Sequence, residues 1–180
     1  MISKKQRISL KGFTLLETLV AILILTMAVA APIYVAGKSL HAALIAKDEI
    51  TAYYLAQDAM EYIRFVRDSN TLGGNPWLTG LGACTSANGN TTCTVDSFNN
   101  SVAACSGVCP PLNYDAKDNG GYYTYGAGSP SMFTRTVSIV SPVSTIPTSD
   151  EGFVTVVVTW KDEGGLSHTV QIEEDMLNWQ

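Results

Sequence analysis

Histidine is nearly absent from this chain of 180 residues: there are two, His41 and His168, and neither stands beside a recognisable catalytic partner. The sequence also lacks a nucleophile elbow and a phosphate-binding glycine loop. Its cysteines show no compact CxxC spacing and no nearby histidine, which argues against zinc. These gaps argue against an enzyme, and both histidines read as surface residues. Asp115, Asp118 and Asn119 before Gly120 and Gly121 offer clustered oxygens, but not at the spacing of a calcium loop, so they read as a solvated turn. No cofactor is expected.

Positive charge is scarce beyond the start. Lys4, Lys5, Arg7 and Lys11 lie in the first twelve residues with no acid among them, so the overall charge of −5 becomes −9 for the remainder. An acidic remainder argues against a broad nucleic-acid surface. A basic start followed by an apolar run is how a chain engages the inner membrane with its cations on the cytoplasmic side. At 46% hydrophobic composition, the chain has the size of one globular head with an appended segment.

From Phe13 to Gly37 the sequence is almost wholly apolar, with Glu17 its only charged residue. About twenty such residues cross a bilayer. After Lys38 a helical pattern continues with one apolar side, formed by Ala52, Leu55, Ala56, Ala59, Ile63 and Val66. The other side carries Gln57, Asp58, Glu61, Arg64 and Asp68, and Glu61 and Arg64 are spaced to pair across one turn. No strong breaker stands before Gly73, Gly74 and Pro76. One helix from about Thr14 to Asp68 is therefore expected, roughly 80 Å long at about 1.5 Å per residue. A helix of that length outruns any head of this size, so its first half requires lipid or neighbouring copies. Pro32 predicts a kink in that half, and Gly37 a second weak point. Glu17 is costly in such a place, by about 2.5–3.5 kcal/mol on insertion scales, and calls for a polar partner. A solvated glutamate at the membrane interface is the plainer reading.

Cys84, Cys93, Cys105 and Cys109 cluster in a stretch rich in Gly, Asn, Ser and Thr, which suits disulfides formed after export. Loop closure favours Cys84 with Cys93 and Cys105 with Cys109, and the nested pairing stays open. Leu72 to Ser131 reads as a long irregular region, with a turn at Asn88, Gly89 and Asn90. Phe133 to Val140, Phe153 to Trp160 and Leu166 to Met176 read as three strands. In the second, Val154, Val156 and Val158 form an apolar surface that should meet the helix stripe, and residues 162–165 should turn tightly into the third.

Lys11, Gly12, Phe13, Thr14, Leu15, Leu16 and Glu17 join the basic start to the apolar run, and here the sequence resembles type IV prepilins. The resemblance implies that a membrane-embedded aspartyl prepilin peptidase cuts after Gly12 and methylates the new amino terminus at Phe13. Glycine suits a scissile bond that a protease backbone must approach closely. It also implies that Glu17 meets the cationic amino terminus of an adjacent subunit and so sets the helix register. The helix end, Tyr53 to Arg67, and the C-terminal Asp175, Met176, Leu177, Asn178 and Trp179 look like PilV-type minor pilins and I-type pseudopilins of type II secretion. Pro32 departs from the pattern, sitting nearer the N-terminus than the kinking proline of many major pilins.

The implied architecture is an α+β pilin-like fold: a leader over 1–12, a transmembrane and assembly half-helix over 13–37 and an amphipathic half-helix over 38–70. A head over 71–180 would hold a disulfide-rich loop (84–109) and a C-terminal antiparallel sheet (133–176). Implied partners are prepilin peptidase, other pilin or pseudopilin subunits, an inner-membrane assembly platform and membrane lipid. The implied location is the inner membrane as a single-pass protein with its head outside the cytoplasm, then a pilus or pseudopilus.

Two competing readings carry no polymerisation. Ala28, Val29 and Ala30 match a small-x-small signal-peptide site, with secretion after a cut at Ala30 or Ala31, although Glu17, the length of the apolar run and Pro32 oppose it. A single-pass anchored protein is the other. Tyr122, Tyr123 and Tyr125 suit either an adhesive surface or core packing, and Asn90 and Asn99 lie in N-x-S/T triplets.

Overall fold

A computed structural model describes residues 12, 14–86, 90–117, 120–141 and 150–178. The expected leader (apart from Gly12), Phe13, Asn88, Gly89, Asp118, Asn119 and Trp179 lie outside the described residues. The chain divides into two compact units, Met1–Leu44 and Ile45–Gln180.

Helix α1 runs from Leu15 to Leu72, 58 residues, and passes through Pro32 without interruption. Its start is capped by Thr14, whose Oγ1 accepts the Glu17 N–H at 3.2 Å while its carbonyl accepts the Thr18 N–H at 3.1 Å. Threonine followed three residues later by glutamate is the sequence pattern of a capping box. The far end lies four residues beyond the expected Asp68, because Ser69, Asn70 and Thr71 do not break a helix and a cap follows them. The Asn75 N–H reaches the Asn70 carbonyl at 2.9 Å, and the Gly74 N–H reaches that of Thr71 at 3.1 Å. These are the paired bonds of a Schellman motif, which needs a residue at positive φ, and Gly74 supplies it at 69°. The Asn70 side chain then ties the cap to the next segment, donating to the carbonyls of Trp77 (3.1 Å) and Thr79 (2.8 Å).

The second unit holds an eight-stranded sheet. Strands β1 (Thr85–Ser86), β2 (Cys93–Asp96), β3 (Ser101–Ala104), β4 (Pro111–Asp115) and β5 (Tyr122–Thr124) are short. Strands β6 (Ser129–Val140), β7 (Glu151–Lys161) and β8 (Ser167–Leu177) are long. β6 organises the sheet. One edge pairs with β7 from Thr134↔Thr159 to Val140↔Phe153, and β8 lies beyond β7. The other edge is shared end to end by β4, β2 and β1, with β5 outside β4 and β3 outside β2. All pairings are antiparallel except that of β1 with β6.

The coarse α+β expectation holds: one long apolar N-terminal helix and a largely antiparallel sheet. The reading of residues 72–131 as irregular does not, since a 3-10 turn (Gly82–Cys84) and β1 to β5 lie within it, and the sheet is not confined to 133–176. Strands of two to five residues carry too little alternation to stand out among Gly, Asn and Ser. Pairing to the long β6, a tertiary effect, makes them strands.

The core of this unit forms where the helix stripe meets the inward face of the sheet. Ala52, Leu55, Ala56, Ala59, Met60 and Ile63 are buried against Val137, Ile139, Val154, Val156 and Val158. Each fully buried valine or leucine contributes about 1.5–3 kcal/mol of transfer free energy. Trp77 also enters the core across Gly152 of β7, where a Cβ would lie 2.9 Å from its ring. The expected β7–β8 hairpin is present: the Asp162 N–H bonds the Leu166 carbonyl (3.0 Å) and the Gly165 N–H bonds that of Asp162 (2.9 Å).

Candidate functional site

The motif and the apolar half-helix fall in the first unit. Gly12 is exposed and outside regular structure, and Thr14 caps the helix. Glu17 stands in its first turn, exposed, where a carboxylate also favours the positive end of the helix dipole. Every described side chain from 14 to 44 is exposed, including Leu15, Leu19, Ile22, Leu25, Val29 and Ile33. Burying none of these residues would be unfavourable in water, so the segment is built for a nonaqueous neighbour. The helix is long and apolar enough to cross a membrane, a standard that a signal sequence also meets. Where the run ends, Lys38 lies over the Tyr34 ring, its ammonium 5.8 Å from the centroid.

The cysteines sit in the second unit as the two local pairs. Cys84 and Cys93 join the 3-10 turn to β2 with Cα atoms 4.9 Å apart, and both are fully buried. Cys105 and Cys109 close a small loop at 5.0 Å. Glu61 and Arg64 form the expected ion pair, and Arg64 also binds Glu174 of β8. His168 is not isolated. Its Nε2 lies 3.1 Å from Asp162 Oδ2, and its ring stacks on Trp160 with centroids 5.3 Å apart. The hydrogen bond with His168, followed by the N–H of Leu166, lowers the Asp162 carboxyl from its ordinary value. The expected cluster of three tyrosines is divided. Tyr122 stacks on Phe98, Tyr123 packs against Tyr114 and Phe133, and the Tyr125 hydroxyl donates to the Arg135 carbonyl at 2.9 Å.

Two polar hubs of this unit carry no mark in the motifs. Arg135 is 1% exposed. Its Nη1 donates to the Leu55 carbonyl (2.6 Å) and to Asp58 (2.8 Å), and its Nη2 donates to the Val95 carbonyl, so one side chain joins α1, β2 and β6. Period-two spacing with Phe133, Val137 and Ile139 is the signal that could have placed it inward. Asp96, 3% exposed, accepts the N–H groups of Phe98 (3.2 Å), Asn99 (3.1 Å) and Tyr125 (2.8 Å) and the Thr124 hydroxyl (2.7 Å). Burial alone would raise its carboxyl, but the bonds from Thr124, Tyr125 and Asn99 together outweigh it and hold the group below its ordinary value. Among the described residues, no cluster of His, Cys, Asp and Glu could hold a metal ion.

Comparison with known proteins finds no matching family model, no matching curated protein and no matching solved structure.

Proposed function

We propose that this chain is a structural subunit of the type IV pilin class, a minor pilin or pseudopilin, which inserts in the inner membrane and assembles into a filament through its N-terminal helix. The observation that carries the reading is the helix from Leu15, apolar through Gly37 and exposed through residue 44, with one acid in its first turn, directly after Gly12 and Phe13. In a segment meant only to anchor, a carboxylate near the start gains little beyond the helix dipole, whereas a segment that leaves lipid for a bundle of like helices uses one to choose its register.

On this reading prepilin peptidase cuts after Gly12 and Phe13 becomes the first residue. Glu17 then pairs with the amino terminus of a neighbouring subunit, and Pro32 loosens the helix where it must bend in the bundle. The head keeps its core within its own unit and adds the outer surface of the filament. An assembly platform and other pilins or pseudopilins are the partners, and the energy for extrusion comes from elsewhere.

Mass spectrometry of the native chain, combined with a filament assay, tests this. The expected mature protein begins at a methylated Phe13, and Glu17→Ala lowers recovery in sheared filaments at least about tenfold, the cost of roughly 1.4 kcal/mol of lost pairing. A chain beginning at Ala31 or Pro32 would instead mark a secreted protein. A native chain still starting at Met1, together with undiminished incorporation of Glu17→Ala, would reject the filament reading.

A further inference from the structure

A groove of about 390 Å³ opens in the second unit, lined by Leu55, Asp58, Ser97, Phe98, Tyr122 and Tyr123. It lies outside the motif and the apolar half-helix on which the proposed function rests, and its chemistry is the same whether or not the chain forms filaments. One wall is an aromatic platform. The rings of Phe98 and Tyr122 stack with centroids 4.0 Å apart and planes at 21°, yet Phe98 remains 58% exposed. A large apolar ring held rigid at the surface gains nothing for folding by its exposure, and such rings mark contact sites.

The platform is fixed from behind. Asp96 accepts the N–H groups of Phe98 and Asn99 in the turn between β2 and β3, and it also binds Thr124 and Tyr125 at the end of β5. The turn that carries Phe98 and the strand that begins at Tyr122 are thus tied to a single buried carboxylate. Asp58 supplies the polar side of the groove. Its oxygens accept the Ser97 hydroxyl at 2.7 and 2.8 Å and Arg135 at 2.8 Å, which sets the direction of the carboxylate, while 42% of the side chain stays exposed.

The charges do not cancel. Arg135 is buried and its Nη donors are directed at Asp58 and at two carbonyls, whereas Asp58 and Asp96 both carry negative charge beside it. A preset carboxylate beside a flat aromatic face in a negative field matches a planar cation, which can donate to the acid and lie on the ring together.

We propose that the groove of Asp58 and Phe98 binds an arginine side chain presented by a partner protein. Lysine fits less well, because an ammonium cannot stack flat on the platform while it donates to Asp58.

The full chain in uncharged detergent, titrated by calorimetry with acetyl-Gly-Arg-Gly-amide, tests this. The peptide carrying citrulline, which is the same shape without the charge, is the control. Saturable binding of the arginine peptide is expected, with citrulline weaker by at least about tenfold, and Phe98→Ala weakening it about tenfold by removing the cation–π face. Raising the salt from about 0.05 to 0.5 M should weaken binding several-fold, since the groove is partly open to water. Asp58→Asn should match Phe98→Ala. Because it removes a partner of buried Arg135, unfolding of that variant leaves the decision to Phe98→Ala, whose ring is mostly outside the core. Equal binding of the two peptides, no saturation by the arginine peptide, or full affinity in a folded Phe98→Ala protein would overturn the proposal.

Discussion

A single guanidinium buried between a helix and a sheet is expensive unless its donors are met, and Arg135 offsets most of the cost by binding two carbonyls and Asp58 through Nη1 and Nη2, while its buried Nε has no hydrogen-bond partner among the described residues. Arg135→Met keeps much of the volume but leaves the carbonyls of Leu55 and Val95 without this partner. A loss of about 3 kcal/mol is expected, smaller than for a fully buried pair because Asp58 can turn to water. Urea denaturation followed by tryptophan fluorescence reads it. Asp96 yields a pH signature. Its carboxyl titrates below the ordinary value in the folded chain, so its stabilisation is complete above the unfolded value of about 3.9 and is lost as pH falls through the folded one. Asp96→Asn should cost about 1–3 kcal/mol at neutral pH and flatten the loss of stability below about pH 4. A variant with an unchanged acid limb would show that Asp96 is not the group responsible. At this scale the sequence was least legible. The inward alternation of Arg135 and the turn residues after Asp96 are visible in it, but the three-way contact of Arg135 depends on segments about forty and eighty residues apart.

Among the elements, those with long unbroken periodicity were legible. Helix α1 and strands β6 to β8 follow from apolar spacing, and the meeting of Val154, Val156 and Val158 with the helix stripe follows from period two against period 3.6. The five short strands were not legible, because each is made by its pairing and not by its own composition. Of the site, the apolar half-helix and the two cysteine pairs could be read from spacing, while the cap required reading the Thr14 hydroxyl as the acceptor of the residue 17 N–H. The Schellman end gives the clearest test at this scale. Gly74 holds a φ of 69° with no atom within 4 Å of the place a methyl group would take, so any cost of a side chain there is conformational and not steric crowding. Gly74→Ala should destabilise the second unit by about 1–2 kcal/mol, the cost of a left-handed alanine. Gly82→Ala in the 3-10 turn, where no positive φ is required and a methyl group would likewise meet no atom within 4 Å, is the control and should cost less. Equal midpoints in urea for the two variants would remove the cap from the account of how α1 ends.

For the whole molecule, the decisive fact is that the buried core begins at Ala52, while the described side chains from 14 to 44 are exposed. One helix therefore serves two solvents. Its second half is held by the sheet, and its first half has no partner within its own unit, a partner that lipid or other chains supply under the proposed function. Deleting residues 1–44 should then yield a protein that stays soluble without detergent and retains both disulfides. Its melting temperature should fall by no more than about 5 °C, the effect of roughly 1 kcal/mol lost with a capped helix start. The intact chain should need detergent or bilayer to remain dispersed, and should aggregate through the exposed leucines and isoleucines when detergent is removed. Sedimentation and thermal scans of the two forms side by side check both statements. A truncated protein that melts more than about 15 °C lower would mean that the first half of α1 contributes several kcal/mol to the head, and the division of labour along the helix would have to be redrawn.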